Sequence, residues 1–265
     1  MITFLSDYGL KDGFVGVCHG VIASLCPQAH IIDISHGVDR HDVRAGALIL
    51  SGAIPYLPVG VHLAVVDPDV GAERRAVALR LADERLLVGP DNGLLSLAAQ
   101  RGGGVLEAVD IARSEFRLEP VSATFHGRDI FAPVAARLAN GDPLVQVGEP
   151  CDPDELVGLE LPRPRVEDGV LVAHALYIDR FGNVQLDAEH EDLSALGLKL
   201  GRAARLTAPA GSHLAHYVRT FADVEPGELL VYEDAHRRLA VAVSHGDAAG
   251  RLGLTIDDEL RVRPE

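Results

Sequence analysis

Three acids stand where a chain can do chemistry: Asp7 in LSDYG, Asp67 in VVDPD and Asp91 in GPDNG, each just after a run of β-branched and aliphatic residues. If those runs are strands of an open α/β sheet, the acids gather at its carboxyl edge, where ligand crevices form. Asp also favours turns and helix caps, so any one of them alone has a purely structural reading. In VVDPDVGAERR, Pro68 stiffens the turn, Gly71 permits an unusual backbone angle, and Arg74 returns towards Asp67. Such a guanidinium either holds the carboxylate ionised for use or only staples the turn. In TFHGRDIFAP, His126 precedes a helix expected to begin near Arg128 and to carry Pro133 in its early turns. A neutral imidazole at that point can orient water or relay its proton.

A second group lies in YIDRFGNVQLD, where Asp179, Phe181 and Asn183 recur at every second position and would share one side of an extended segment. An acid for an ammonium, an aromatic face for a purine and an amide for a base edge together make a nucleoside-binding kit. The alternative is an ordinary strand and glycine turn.

The elements that must position these groups follow from hydrophobic period. ITFLS, HIIDIS, VHLAVVD, AVALRLA and RLLVGP read as strands, and 13–25 and 42–57 carry apolar residues at helical spacing, the second with Asp42 as its cap. Alternating strands and helices indicate a layered α/β domain. The Pro- and charge-rich stretch 158–169 reads as a connector. Beyond it GVLVAHALYID, AARLTA, ELLVYED, RLAVAVS and LRVRP are strands with little helix between them, which indicates a small antiparallel domain or barrel. The expected division is 1–157, a linker over 158–169, and 170–265.

Composition limits the partners. The 265 residues are 48% hydrophobic and 24% charged, with a formal net charge of -15, which disfavours nucleic acid and anionic membrane surfaces. Cys18, Cys26 and Cys151 form no CxxC pair, and the His and acidic residues show no HExxH or DxDxDG spacing, so neither a disulfide framework nor a metal site is expected. No apolar run approaches the roughly 18 residues of a membrane span, and no basic region precedes the first strand, so a cytoplasmic location is expected.

The segments SDYGLKDGFVG, VVDPDVGAERR, GPDNGLL, TFHGRDIFAP, YIDRFGN, TFADVEPGEL and LAVAVSHGDAA occur in an order, over nearly the whole chain, that resembles the S-adenosylmethionine hydroxide adenosyltransferases, relatives of the fluorinases and chlorinases. The resemblance implies an amino-terminal α/β sandwich domain with a mainly parallel sheet, followed by a small carboxyl-terminal β-barrel domain. It implies hydrolysis of S-adenosylmethionine to adenosine and methionine, without a cofactor, by homotrimers whose sites lie between subunits. Asp67, Arg74 and His126 match the set that activates water, and Asp7 matches the acid that grips the ribose hydroxyls. Asp179 matches a methionine contact, Phe181 and Asn183 match adenine contacts, and the backbone near Val243 and Ser244 matches a further one. A halide-transferring enzyme or a non-catalytic nucleoside sensor are the competing readings. Halogenases resembling this fold lack the acid at the Asp67 position, and the fluorinases carry a loop not found in this chain. The pattern departs at Asp69, which replaces a glycine, at Leu186-Asp187, at Ala235-His236-Arg237, which replace a Ser-Ser-Gly turn, and at Ser244, which replaces an asparagine.

Overall fold

The computed structural model describes Met1–Glu265, which divide into two compact units, Met1–Leu159 and Glu160–Glu265. In the first unit, Ile2–Ser6 (β1), Ile31–Ser35 (β2), Val61–Val65 (β3), Ala76–Leu81 (β4), Leu86–Pro90 (β5), Val105–Asp110 (β6) and Glu149–Cys151 (β7) form one sheet in the order β2-β1-β3-β5-β4-β6-β7. The β2-β1-β3-β5 core is parallel, and β4, β6 and β7 extend it with antiparallel pairings. β1 and β3 are buried along their whole length, because helices cover both faces of a parallel core and leave no solvent side.

Helices Phe14–Leu25 (α1), Val43–Ala53 (α2), Ser96–Arg101 (α3), Ala132–Ala139 (α4) and Leu144–Val147 (α5) complete the unit. α1 and α4 pack on the face that carries Ile2, Phe4, Leu63 and Val65, where Cys18, Ile22, Val134 and Leu138 fill the core. α2 covers the other face, where Gly46 lies against Leu94, Val66 and Leu5. The cap read from the sequence forms: the Asp42 carboxylate accepts the Ala45 N–H at 2.8 Å. The helix expected near Arg128 enters through a wide π turn, Gly127–Phe131, before α4 begins with Pro133 in its first turn.

In the second unit, Arg165–Glu167 (β8), Val170–Ile178 (β9), Val184–Glu189 (β10), Ala203–Ala208 (β11), Gly211–Tyr217 (β12), Leu229–Glu233 (β13), Arg238–Val243 (β14) and Glu259–Pro264 (β15) run in the order β10-β14-β13-β12-β11-β15-β9-β8. Pairing of β10 with β9 closes seven of these strands into a barrel, and β8 pairs along the start of β9. All its pairings are antiparallel except β12 with β13. Inward residues such as Leu171, Leu186, Tyr217, Val241 and Val262 fill the interior. The two short helices are His190–Ala195 (α6) and Ala248–Leu252 (α7). No helix of the chain is long and apolar enough to cross a membrane.

The parallel core contains a titratable group. His62 in β3 is fully buried, and its Nδ1 lies 2.9 Å from Thr3 Oγ1 on β1. Burial, with the Arg85 cation adding to it and Asp83 opposing, pushes the imidazole from 6.5 down to about 4. The unfolded chain therefore takes up a proton near pH 6.5 that the folded chain refuses until about pH 4. Stability contributed by this residue is complete above pH 6.5 and falls between 6.5 and 4, by roughly 3 kcal/mol over the interval. Urea midpoints across that range should drop in the native protein, and the drop should be shallower in His62→Gln.

Candidate active site

Three loops at the carboxyl ends of the parallel strands build the first cluster. Asp67 follows β3, Tyr8 and Asp7 follow β1, and His126 opens the π turn before α4. Two glycines let these loops touch. Gly71 has φ +83, and a Cβ there would collide with the Ala123 carbonyl oxygen, so the turn after Asp67 lies directly against the segment leading to His126. A Cβ at Gly127 would likewise collide with the Tyr8 hydroxyl, which seats the SDYG loop on the same segment.

Within this frame the expected triad is in direct contact. Arg74 Nε donates to Asp67 Oδ1 at 2.9 Å and to Oδ2 at 3.1 Å, and its terminal nitrogen also donates to Asp67 Oδ2. That same terminal nitrogen donates to His126 Nδ1 at 2.9 Å. The side chains of Asp67 and Arg74 are 5% and 8% exposed, and the guanidinium lies 5.3 Å from the centre of the Phe131 ring. Water screens such a pair little.

Arginine has no acceptor, so His126 Nδ1 must carry the lone pair and Nε2 the proton. Burial and the adjacent Arg74 cation hold the His126 imidazole below its usual range, outweighing Asp67 and Asp129. His126 is thus a neutral Nε2–H donor. Next to it, burial pushes the Asp129 carboxyl up, but bonds from Arg128 and from the Ser122 N–H outweigh this and hold it below the usual range. Tyr8 is raised well above 10.0, chiefly by burial, and stays a neutral phenol beside the triad. Tyr8 was not singled out from the sequence; only its place in SDYG could have marked it.

The other two acids at strand ends meet different fates. Asp7 Oδ2 accepts the His41 N–H at 3.0 Å, with His41 in the left-handed region at φ +67. Asp91 is consumed structurally: it is 8% exposed and bonded to Arg75 Nε and to the Val157 N–H. Asp69 is exposed, and its carbonyl only closes the turn with the Ala72 N–H.

The second cluster lies at one end of the barrel. The segment 179–183 is a tight turn between β9 and β10, not the extended stretch that the alternation suggested. Asp179 Oδ1 accepts the N–H groups of Phe181 and Asn183 at 2.8 and 3.0 Å, and Oδ2 accepts Asn183 Nδ2 at 2.8 Å. Phe181 is 65% exposed, with the Arg180 guanidinium 5.2 Å from its ring centre. The Gly182 carbonyl accepts from Ala248 and Ala249, which brings the loop after Val243 and Ser244 against this turn. Ser244 is 3% exposed; its N–H donates to Glu228 O and its carbonyl accepts from Gly227. A carbonyl oxygen has a second lone pair, so the Ser244 carbonyl can still accept from a ligand.

Two departures from the family pattern have local explanations. Asp187 is buried and bonded to both the backbone N–H and Nδ1 of His174, at 2.8 and 2.7 Å, so it serves the barrel wall. Arg237 sits at φ +67 in a turn held by Asp234, at a position where a glycine would be free of strain. As for metal-type donors, His19, Asp33 and His36 converge elsewhere in the first unit.

The Arg74 contact makes the histidine titration a readout of the triad. In Arg74→Gln, His126 loses a cation and keeps the Asp67 and Asp129 charges, so its pKa should rise above the native value. Imidazole NMR titration of the native and variant proteins measures this; an unchanged pKa would contradict the bridging geometry.

Comparison with known proteins agrees with this division of the chain. Residues 2–148 match the SAM hydroxide adenosyltransferase N-terminal domain, and residues 173–261 match the C-terminal domain. The (R)-S-adenosyl-L-methionine hydrolase of Salinispora tropica is 52% identical over 98% of this chain and 97% of its own length, and that of Thermus thermophilus is 37% identical over 96% and 95%. A fluorinase of Nocardia brasiliensis is 34% identical over 78% and 77%. The solved structure of an uncharacterised conserved protein from Thermotoga maritima superposes with a TM-score of 0.93 at 37% identity, covering 99% of this chain and 100% of that one. With both domains matched in order, and with Asp67, Arg74 and His126 in contact between the loops of the first unit, this chain belongs to the SAM hydroxide adenosyltransferase family.

Proposed function

We propose that the protein hydrolyses S-adenosyl-L-methionine at the ribose 5′ carbon, giving adenosine and L-methionine. The observation that carries this reading is the single guanidinium shared by Asp67 and His126. It sets the Asp67 carboxylate beside a neutral Nε2–H of His126, an acceptor and a donor for one water molecule.

The chemistry asks for little else. The sulfonium leaves as a neutral thioether, so no acid is needed at the departing sulfur and no Lewis acid at the carbon. Water oxygen attacks the 5′ carbon in line with the sulfur, and the carbon–sulfur electron pair goes to sulfur. One water proton stays on the new 5′ hydroxyl and the other passes to Asp67 and then to solvent. His126 cannot take that proton at Nδ1 without giving up Arg74, so its role is to hold the water by Nε2–H. Attack neutralises charge, which a dry pocket favours.

The substrate contacts follow the same proposal. Asp7 holds the ribose hydroxyls, Phe181 stacks on the purine, and spare carbonyl lone pairs near Val243 and Ser244 meet the adenine. One Asn183 Nδ2 hydrogen goes to Asp179, and its Oδ1 accepts from the adenine amine. Asp179 contacts the methionine moiety. Reduced cysteines fit work in the cytoplasm.

Halide transfer fits less well, since an anion next to Asp67 would be repelled. Asp67→Asn should keep substrate binding and lose about 10²- to 10⁴-fold in kcat. The assay follows adenosine released from the (R)-sulfonium epimer for which the hydrolase relatives are named. Unimpaired turnover in this variant, or halogenated nucleoside formed with added fluoride or chloride, would overturn the reading.

We also propose that the protein acts as a homotrimer, with the barrel end of one subunit completing the pocket opened by Asp7 and Asp67 of a neighbour. The support is chemical: the water and ribose groups belong to one unit, the base-binding groups to the other. Co-expressing Asp67→Asn with a Phe181→Ala/Asn183→Ala double variant should restore activity to about a quarter of native if sites are shared between subunits. Sites built within one subunit would show no recovery.

A further inference from the structure

A second set of donor atoms has been assembled outside the residues used above. His19 lies on α1, Asp33 in the edge strand β2, and His36 just past its end, with their ligand atoms all within 4.8 Å of one another. Asp33 Oδ1 is 2.9 Å from His19 Nε2 and 3.1 Å from His36 Nε2.

Two features distinguish this from a surface ion pair. His36 is 5% exposed, and its buried Nε2 approaches Asp33 without forming a hydrogen bond to it or to anything else. Buried polar atoms are rarely left so, because desolvation goes uncompensated. The other ring nitrogen, Nδ1, lies 2.7 Å from Ser6 Oγ, which also accepts the Tyr8 N–H at 3.3 Å. When Nδ1–H donates to that hydroxyl oxygen, the lone pair sits on Nε2, on the side where Asp33 Oδ1 lies 3.1 Å away. A second contact of this kind is what orients a metal-binding imidazole.

We propose that His19 Nε2, Asp33 Oδ1 and His36 Nε2 bind one divalent transition-metal ion of the zinc class, with water in the remaining position. Two imidazoles and a carboxylate suit zinc or cobalt, whereas magnesium and calcium prefer all-oxygen sites. Tetrahedral bonds of ~2.0–2.1 Å require donors ~3.3 Å apart, so the two pairs with Asp33 need to open by only a few tenths of an ångström, and the two imidazole nitrogens already lie within 4.8 Å of each other. His19 and Asp33 are 33% and 41% exposed, which gives the ion an entry path.

The site is structural. His36 is joined through Ser6 and through the Gly9 N–H to the loop that carries Asp7, so a bound ion ties the end of β2 to that loop. None of its three ligands is bonded to Asp67, Arg74 or His126.

The test uses the full chain, stripped with a chelator and dialysed. Cobalt should give the visible bands of a tetrahedral site, saturating at one equivalent per chain, and zinc should displace it and raise the melting temperature. His36 is buried, so the variants are the exposed His19→Ala and Asp33→Asn; each should weaken zinc binding about tenfold or more by calorimetry. Cobalt spectra without tetrahedral bands, or zinc affinity unchanged in both variants, would overturn the proposal and assign any uptake to scattered surface histidines.

Discussion

Arg74 is the member of the triad on which the other two depend. One side chain satisfies both oxygens of Asp67 and the Nδ1 of His126, and it does so while 8% exposed. A lysine could not do this, because its ammonium is a point donor without the fork that spans two acceptors. The guanidinium also fixes the histidine: with Nδ1 accepting from Arg74, His126 stays neutral and carries its proton on Nε2. Holding that fork buried requires the backbone of two loops to meet, which is why Gly71 must approach the Ala123 carbonyl. The turn geometry of one loop is therefore part of the electrostatics of the other.

The sheet supplies the same kind of place three times and the chain uses it three ways. Asp7, Asp67 and Asp91 each leave the carboxyl end of a parallel strand, yet each takes a different partner: the His41 N–H, Arg74 and Arg75. Asp91 is drawn into Arg75 and the Val157 N–H, where it ties the returning chain to the sheet. Position at a strand end is thus permissive, and the partner decides. Two neighbouring arginines just before β4, Arg74 and Arg75, reach two different acids, Asp67 and Asp91.

Much of this was legible from hydrophobic period. ITFLS, VHLAVVD, RLLVGP and RLAVAVS are strands, Asp42 caps its helix, and the change from alternating elements to strands alone coincides with the change from sandwich to barrel. What escaped was governed by tertiary pairing. VLEAVD and GSHLAHY have weak alternation, and they become β6 and β12 because strands lie on both sides of each. The antiparallel direction of β4 was invisible, since a strand reads alike both ways. His19, Asp33 and His36 matched no spacing motif because three separate elements deliver them.

The turn after β9 shows most plainly where spacing misleads. Asp179, Phe181 and Asn183 alternate as in a strand, but the Asp179 carboxylate pulls the chain into a closed turn by accepting three N–H groups of its own segment. A carboxylate offers about four lone-pair sites, so one remains, on Oδ2. An incoming ammonium can therefore form a single charge-assisted bond there, not a bidentate one. In the same stroke the turn holds Asn183 by its Nδ2 and lifts Phe181 into solvent. The acid read as a ligand contact is first a scaffold, and its residual lone pair defines what it can still bind.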